Sequence, residues 1–173
     1  MRALTVQPSR PGSARVEEVP EPPPEAGAVL VQALALGICG TDREIAGGEY
    51  GWAPEGRDRL VLGHESLGRV LEAPDDAEVR AGDLVAGVVR RPDPLPCECC
   101  AAGRFDLCRN GDYTERGIKA LDGYGSERWR VEPEYGWSPT SGRPITRSLY
   151  PIPACGRTSW SSAPASGRSY STR

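Results

Sequence analysis

The sequence predicts a mainly β fold built from short strands and tight turns. Its 173 residues include 21 glycines and 17 prolines, a share that suits a turn-rich β architecture better than a helix bundle. Apolar residues occur in short runs, and Val, Leu and Ile are concentrated in Val29–Leu36. The length is sufficient for one domain with a hydrophobic core.

The predicted elements follow one another along residues 1–135. We predict strands at Ala3–Val6, Arg15–Val19, Val29–Leu36, Leu67–Glu72, Asp83–Val89 and Gly125–Val131. Trp129 alternates with the last of these strands and is expected in the core. Thr41–Ala46 is predicted to form a helical turn capped by Thr41 or Asp42. Arg90-Arg91 is expected to be a solvated pair, next to a cysteine-bearing lobe at 92–112.

The composition changes after residue 135. Residues 136–173 contain five arginines, nine serines and five prolines but no acidic residue, and they show no helical or strand period. Two interpretations are open, a disordered tail or a frame-shifted continuation of the gene. We therefore place the folded domain at 1–135 and expect 136–173 to be irregular.

Charge and hydropathy exclude several classes of protein. A net charge of −3 argues against nucleic acid or an anionic membrane as a partner. The N-terminus lacks the apolar core of a signal peptide, and the most apolar stretch, Ala28–Cys39, is too short to span a bilayer. The sequence therefore predicts a cytoplasmic protein.

The only histidine, His64, is followed directly by Glu65 and lies after Cys39 in the chain. Thiolate, imidazole and carboxylate are side chains that zinc accepts, and a catalytic zinc commonly takes three protein ligands and leaves a position for substrate. Adjacent residues on an extended chain point in opposite directions. His64 and Glu65 can therefore both reach one ion only across a bend; otherwise Glu65 supports the site from outside the ligand set.

Such a donor set is suited to the oxidation of an alcohol. Zinc lowers the pKa of an alcohol hydroxyl, which helps hydride leave the carbon for a nicotinamide. Thr41, two residues after Cys39, is placed to relay the substrate proton, although the same hydroxyl could cap a helix. Asp42 is a candidate for orienting His64.

Several motifs resemble the N-terminal domain of the zinc-containing medium-chain dehydrogenases/reductases. They are Gly37–Ile45 (GICGTDREI), Leu60–Gly68 (LVLGHESLG) and Ala81–Val85 (AGDLV). Within that family, Thr41–Ile45 and Thr114–Ile118 are most similar to the glucose dehydrogenase branch. The resemblance covers about residues 1–135.

The resemblance implies a GroES-like, partly open β-barrel with short helices. It implies that Cys39, His64 and Glu65 hold a catalytic zinc, and that Thr41 and Glu115 contact sugar hydroxyls. The implied reaction is oxidation of a sugar or alcohol hydroxyl, most simply C1 of an aldose, with hydride transfer to NAD or NADP.

A second group of cysteines, Cys97, Cys100 and Cys108, has the close spacing of a structural zinc site. Relatives in the resembled family often carry four cysteines here, and the first of them is missing in this sequence. Asp93 is one candidate for the fourth ligand and Cys99 is another. The alternative is a metal-free lobe with reduced thiols or a disulfide.

The sequence shows no dinucleotide-binding fingerprint. Gly123–Arg128 contains only the first two glycines of a G-x-G-x-x-G turn and precedes a strand rather than a helix. We therefore expect the Rossmann domain of the family to be absent from this chain, and the chain alone to be inactive. It would then expose the surface that normally meets that domain and tend to self-associate. The alternative is a non-catalytic zinc-binding barrel or gene remnant.

Overall fold

The computed structural model describes residues 1–145, so both interpretations of the sequence after that point lie outside the described residues. The described part is mainly β, which confirms the predicted fold class. Its strands form three sheets, with six strands in the largest and three in each of the others. No helix within residues 1–145 has the length and apolar character needed to cross a membrane.

The elements are short and are joined mostly by turns. The strands are β1 (Arg2–Val6), β2 (Arg15–Glu18), β3 (Val29–Gly37), β4 (Leu60–Val61), β5 (Glu65–Glu72), β6 (Leu84–Gly87), β7 (Arg90–Arg91), β8 (Thr114–Arg116), β9 (Ala120–Leu121), β10 (Arg128–Val131), β11 (Gly136–Ser138) and β12 (Arg143–Pro144). Two α-helices, α1 (Gly40–Gly47) and α2 (Glu98–Ala101), and three short 3₁₀ turns complete the described chain.

The largest sheet has the order β10-β3-β5-β6-β11-β12, and its neighbouring strands run antiparallel. Side chains alternate across it: Val29 and Val31 of β3 are fully buried, whereas Gln32 is exposed. Trp129 of β10 is buried in the same core, as predicted, and its ring packs against that of Tyr124. This alternation follows from the two-residue period of a strand with one buried face.

All six predicted strands are present with shifted ends, and the structure adds short strands that the sequence pattern did not indicate. β4, β7 and β9 have two residues each, too few to produce a hydropathy period. The domain boundary expected at residue 135 also differs from the structure. β11 and β12 lie beyond it, and Ile145 is fully buried in the main core. Residues 136–145 are therefore part of the folded body.

The expectation that Arg90-Arg91 is a solvated pair is wrong. Arg91 is buried, and its Nε and Nη2 donate to the two carboxylate oxygens of Glu132 at 3.1 and 2.7 Å. Arg116, also buried, approaches Glu132 Oε2 at 3.3 Å. Burial alone would raise the pKa of Glu132, but the Arg91 hydrogen bonds and the charges of Arg91 and Arg116 lower it. This network ties β7, β8 and the segment after β10 together.

Replacement of Glu132 by Gln should lower the free energy of unfolding by on the order of 2–3 kcal/mol, because two buried guanidinium groups lose their counter-charge. The lowered pKa of Glu132 means that its contribution exists above the unfolded pKa and is lost as the pH falls through the folded value. Glu132→Gln should therefore also remove part of the acid sensitivity. Urea unfolding at several pH values measures both effects.

The matched control is Glu127→Gln, which removes a carboxylate paired with Arg2 at the surface. Both partners are well exposed, so the expected loss of unfolding free energy is much smaller than that in Glu132→Gln. Equal losses of unfolding free energy in Glu132→Gln and Glu127→Gln would contradict the structural role of the Glu132 network.

Candidate metal centre and neighbouring residues

The structure brings Cys39, His64 and Glu65 together. Their donor atoms all lie within 4.8 Å of one another. Cys39 Sγ is 3.2 Å from His64 Nε2. Two ligands of a tetrahedral zinc, with bonds of about 2.3 Å to sulfur and about 2.1 Å to nitrogen, would be about 3.6 Å apart. The thiol and the imidazole are therefore placed within reach of one ion.

The backbone resolves the geometric problem posed by adjacent ligands. Gly63 has φ of +98°, a conformation that glycine adopts without strain, and it bends the chain immediately before His64. His64 lies in that bend, whereas Glu65 is the first residue of β5. His64 therefore projects from a bend and Glu65 from a strand, so both side chains can approach Cys39 although the two residues are adjacent.

Cys39 is held by the beginning of α1. It is the N-cap of this helix, so the expectation that Thr41 or Asp42 caps the helix is wrong. Asp42 instead acts from the third helical position, where its Oδ2 accepts a hydrogen bond of 2.9 Å from the Cys39 backbone N–H. Thr41 lies half-buried in the first turn of the same helix.

Asp42 also faces the imidazole. Its Oδ1 is 3.5 Å from His64 Nδ1, and both atoms are buried without a hydrogen-bond partner among the described residues. The Asp42 carboxylate favours a proton on Nδ1, because a neutral imidazole can donate from only one nitrogen. Nε2, the nitrogen next to Cys39, is then left with a lone pair for a metal.

An open cleft of about 420 Å³ adjoins His64 and Glu65. Gly37, His64 and Glu65 line it from β3 and the start of β5, and Ala86 and Gly87 line it from β6. Small residues dominate the wall, so a ligand of modest size could approach the donor atoms from this side.

Glu115 does not belong to this group of donors. It is buried on β8, and its Oε1 accepts two hydrogen bonds from Arg90, from Nε at 2.9 Å and from Nη2 at 2.6 Å. The Arg90 guanidinium also lies 4.1 Å from the ring centroid of Tyr113. Arg90 was not identified from the sequence as the partner of Glu115. The two residues lie opposite each other in the pairing of β7 with β8, which accounts for the contact.

Cys97, Cys100 and Cys108 form a second group, and their sulfur atoms also lie within 4.8 Å of one another. The sulfurs of Cys97 and Cys100 are 3.8 Å apart. Cys108 Sγ is 3.8 Å from Oδ2 of Asp93, which is buried. Cys99 is buried but is not one of the three residues whose donor atoms meet. Asp93 also lies outside that group of three, but its contact with Cys108 Sγ favours it over Cys99 as the fourth donor.

The thiols of this lobe differ in acidity. The Arg109 backbone N–H donates to Cys97 Sγ at 3.4 Å, and together with the backbone N–H groups of Cys100 and Cys99 it lowers the pKa of that thiol to about 6. Burial raises the pKa of the Cys100 thiol to about 11. A metal that binds all three sulfurs must displace the Cys100 proton, so its affinity increases with pH.

Replacement of Asp42 by Asn should reverse the tautomer of His64. The amide oxygen can keep the hydrogen bond to the Cys39 N–H, but the amide nitrogen then faces Nδ1 and donates to it, which moves the imidazole proton to Nε2. Nitrogen NMR of the metal-free chain would detect this directly, because the chain contains a single histidine. Zinc affinity at this site should fall by roughly 10–100-fold.

Glu44→Gln is the control for the loss of charge, because Glu44 is an exposed acid on the same helix. It should leave both the tautomer and the affinity unchanged. An unchanged His64 spectrum in Asp42→Asn would rule out the orienting role of Asp42.

The chain matches known proteins in both sequence and fold. The family model described as the alcohol dehydrogenase GroES-like domain matches residues 25–137. The chain is 47% identical over 135 residues to a glucose 1-dehydrogenase of Methanocella arvoryzae, covering 78% of this chain and 38% of the relative. It is 48% identical over 128 residues to a glucose 1-dehydrogenase of Thermoproteus tenax, covering 73% and 35%.

The fold is similar to solved dehydrogenase structures. One is the glucose dehydrogenase of Haloferax mediterranei in complex with NADP, Zn and gluconolactone, with a TM-score of 0.70 and 40% identity. The match covers 82% of this chain and 40% of that structure. The chain thus spans about two-fifths of the length of the relatives that it matches.

Proposed function

Because the chain belongs to the family of alcohol dehydrogenase GroES-like domains, we propose that it supplies the zinc-binding part of a dehydrogenase that oxidises a sugar or alcohol hydroxyl. The observation that carries the proposal is the 3.2 Å approach of Cys39 Sγ to His64 Nε2, with the Glu65 carboxylate in the same group. The similarity to glucose 1-dehydrogenases makes C1 of an aldose the proposed reacting centre.

The donor set fits zinc. A thiolate and a carboxylate would balance the charge of the ion, and the neutral imidazole offers Nε2 when Asp42 keeps the proton on Nδ1. Three protein ligands would leave one coordination position for a substrate, as a catalytic site requires. Zinc bound here would act as a Lewis acid that lowers the pKa of a substrate hydroxyl.

The remaining chemistry is assigned to side chains of this chain. Thr41, in the first turn of α1, is proposed to accept the hydroxyl proton of the substrate and pass it to solvent. Glu115 is proposed to contact sugar hydroxyls. Arg90 donates to Oε1 of Glu115, and Oε2 is the oxygen proposed to accept a hydrogen bond from a sugar. NAD or NADP is the proposed hydride acceptor, and we assign no residue within 1–145 to its binding.

Cys97, Cys100 and Cys108 are proposed to hold a second, structural zinc with Asp93 as the fourth ligand. All four donors come from one short segment, and Asp93 Oδ1 is also bound by the Leu95 backbone N–H at 2.8 Å. That hydrogen bond orients the carboxylate so that Oδ2 points to Cys108. The proposed role of this zinc is to fold the lobe rather than to act on substrate.

The purified chain should contain about two zinc ions per molecule. Cys39→Ser and Cys97→Ser should each lower the zinc content by about one, because each removes a thiolate from a different group. Elemental analysis of the purified variants measures the stoichiometry.

Cys99→Ser is the matched control in the lobe and should retain both ions. A wild-type value of about one that is unaffected by Cys97→Ser would remove the lobe as a zinc site. A loss of zinc in Cys99→Ser would reassign the fourth ligand from Asp93 to Cys99.

The dehydrogenase proposal is tested with NAD(P)H absorbance, using D-glucose, galactose and simple alcohols with each nucleotide. We expect the zinc-loaded chain alone to show no turnover, because the described residues provide no nucleotide site. Combined with a polypeptide that supplies the nucleotide-binding domain of a related glucose dehydrogenase, it should gain zinc-dependent activity that Cys39→Ser abolishes. Zinc binding without activity in any combination would favour a non-catalytic zinc-binding barrel.

A further inference from the structure

We propose that Gly37 is a positioning residue for Glu65, because the lack of a side chain at Gly37 gives the Glu65 carboxylate the space in which it reaches the other metal donors. The inference rests on the proposed function, since it concerns the metal-binding role of Glu65. It adds a residue that offers no donor atom itself.

Gly37 and Glu65 lie directly opposite each other in the antiparallel pairing of β3 with β5. A Cβ atom on Gly37 would overlap Glu65 Oε2 and would lie 2.8 Å from Glu65 Cβ and 3.2 Å from Glu65 Cδ. The Glu65 side chain therefore occupies the volume that any other residue at position 37 would fill. With Gly37 as it is, the side chain folds across β3 instead of standing away from it.

The requirement at Gly37 is one of space and not of backbone conformation. Gly37 is not among the glycines with positive φ, so its backbone is accessible to an L-residue. Gly40, three residues later, has no atom within 4 Å of where its Cβ would lie. Gly37 and Gly40 lie on opposite sides of Cys39 in the chain. An added methyl group would collide with the proposed ligand Glu65 at Gly37 but would meet no atom at Gly40.

A β-bulge decides which residue lies opposite Glu65. Ala33 pairs with Gly68 and Ala35 with Leu67, so Leu34 is an extra residue in β3. Uninterrupted pairing from Ala33 would have placed Leu36 opposite Glu65. With the bulge, Leu36 instead packs against the main core.

Leu36 at that position would have brought a bulky side chain to the place where the Glu65 carboxylate now lies. Bulges of this kind commonly redirect side chains next to functional sites. The bulge therefore sets the register that places Gly37 opposite Glu65. The absence of a side chain at Gly37 then leaves room for the Glu65 carboxylate.

The test uses the full 173-residue chain, with zinc titrated in competition with a chelator and the NMR signals of His64 as the readout. Because His64 is the only histidine, these signals report this site and not the cysteine lobe. Gly37→Ala should weaken zinc binding by roughly 10–100-fold. Gly40→Ala should change the affinity by less than about twofold, because a methyl group fits there.

A double-mutant cycle separates an effect through Glu65 from a general one. If Gly37 acts through Glu65, Gly37→Ala combined with Glu65→Gln should bind zinc no more weakly than Glu65→Gln alone. If Gly37→Ala also lowers the thermal midpoint, that loss should disappear in a Glu65→Gly background, where the overlapping atoms are absent.

Wild-type affinity in Gly37→Ala, or additive losses in the double variant, would overturn the positioning role while leaving the proposed metal site intact. A wild-type chain whose His64 signals do not respond to zinc would overturn the metal site itself, and the positioning role with it.

Discussion

The antiparallel pairing of β3 with β5 is the interaction on which both the core and the candidate site depend. It runs from Leu30 opposite Glu72 to Gly37 opposite Glu65. One part of the pair buries Val31 and Val70 in the main core. The other end delivers Glu65, with Cys39 directly beyond β3 and His64 directly before β5. A site attached to buried strands is held more accurately than one on free loops.

The residues around the thiol and the imidazole are arranged to suit a cation. Asp42 Oδ1 and His64 Nδ1 are buried, face each other at 3.5 Å and lack other partners among the described residues. Unpaired buried polar atoms cost free energy. A metal on Nε2 would strengthen the attraction between the Nδ1 proton and Asp42, so binding would offset part of that cost. Binding and folding stability should therefore be coupled.

The two donor groups are built in different ways. Cys39, His64 and Glu65 come from two strand ends distant in sequence, and an open cleft adjoins His64 and Glu65. The donors of the lobe all lie between residues 93 and 108, and short helical turns fold them together. The first arrangement leaves room for a substrate, whereas the second suits closed, structural coordination.

Sequence reasoning was most successful where the signal was local. The strand at Val29–Leu36 was recognisable from its concentration of Val, Leu and Ile, and the structure has it as β3. It failed at Arg90 and Arg91, which look like surface residues in isolation. Their partners, Glu115 and Glu132, are distant in the chain, and no local pattern indicates such pairing. The helix cap was also misassigned, because a cysteine is not a usual N-cap residue.

By itself, the sequence determined the mainly β class and the two sets of donor side chains, since composition, period and side-chain chemistry are local properties. Only the tertiary structure decided that Glu65 can join His64 beside Cys39. That outcome depends on the bend at Gly63, the bulge at Leu34 and the open space at Gly37. The bend is a local backbone conformation, whereas the bulge and the open space are matters of register and volume between segments that are far apart in the chain. A one-residue shift in pairing changes which side chain faces which.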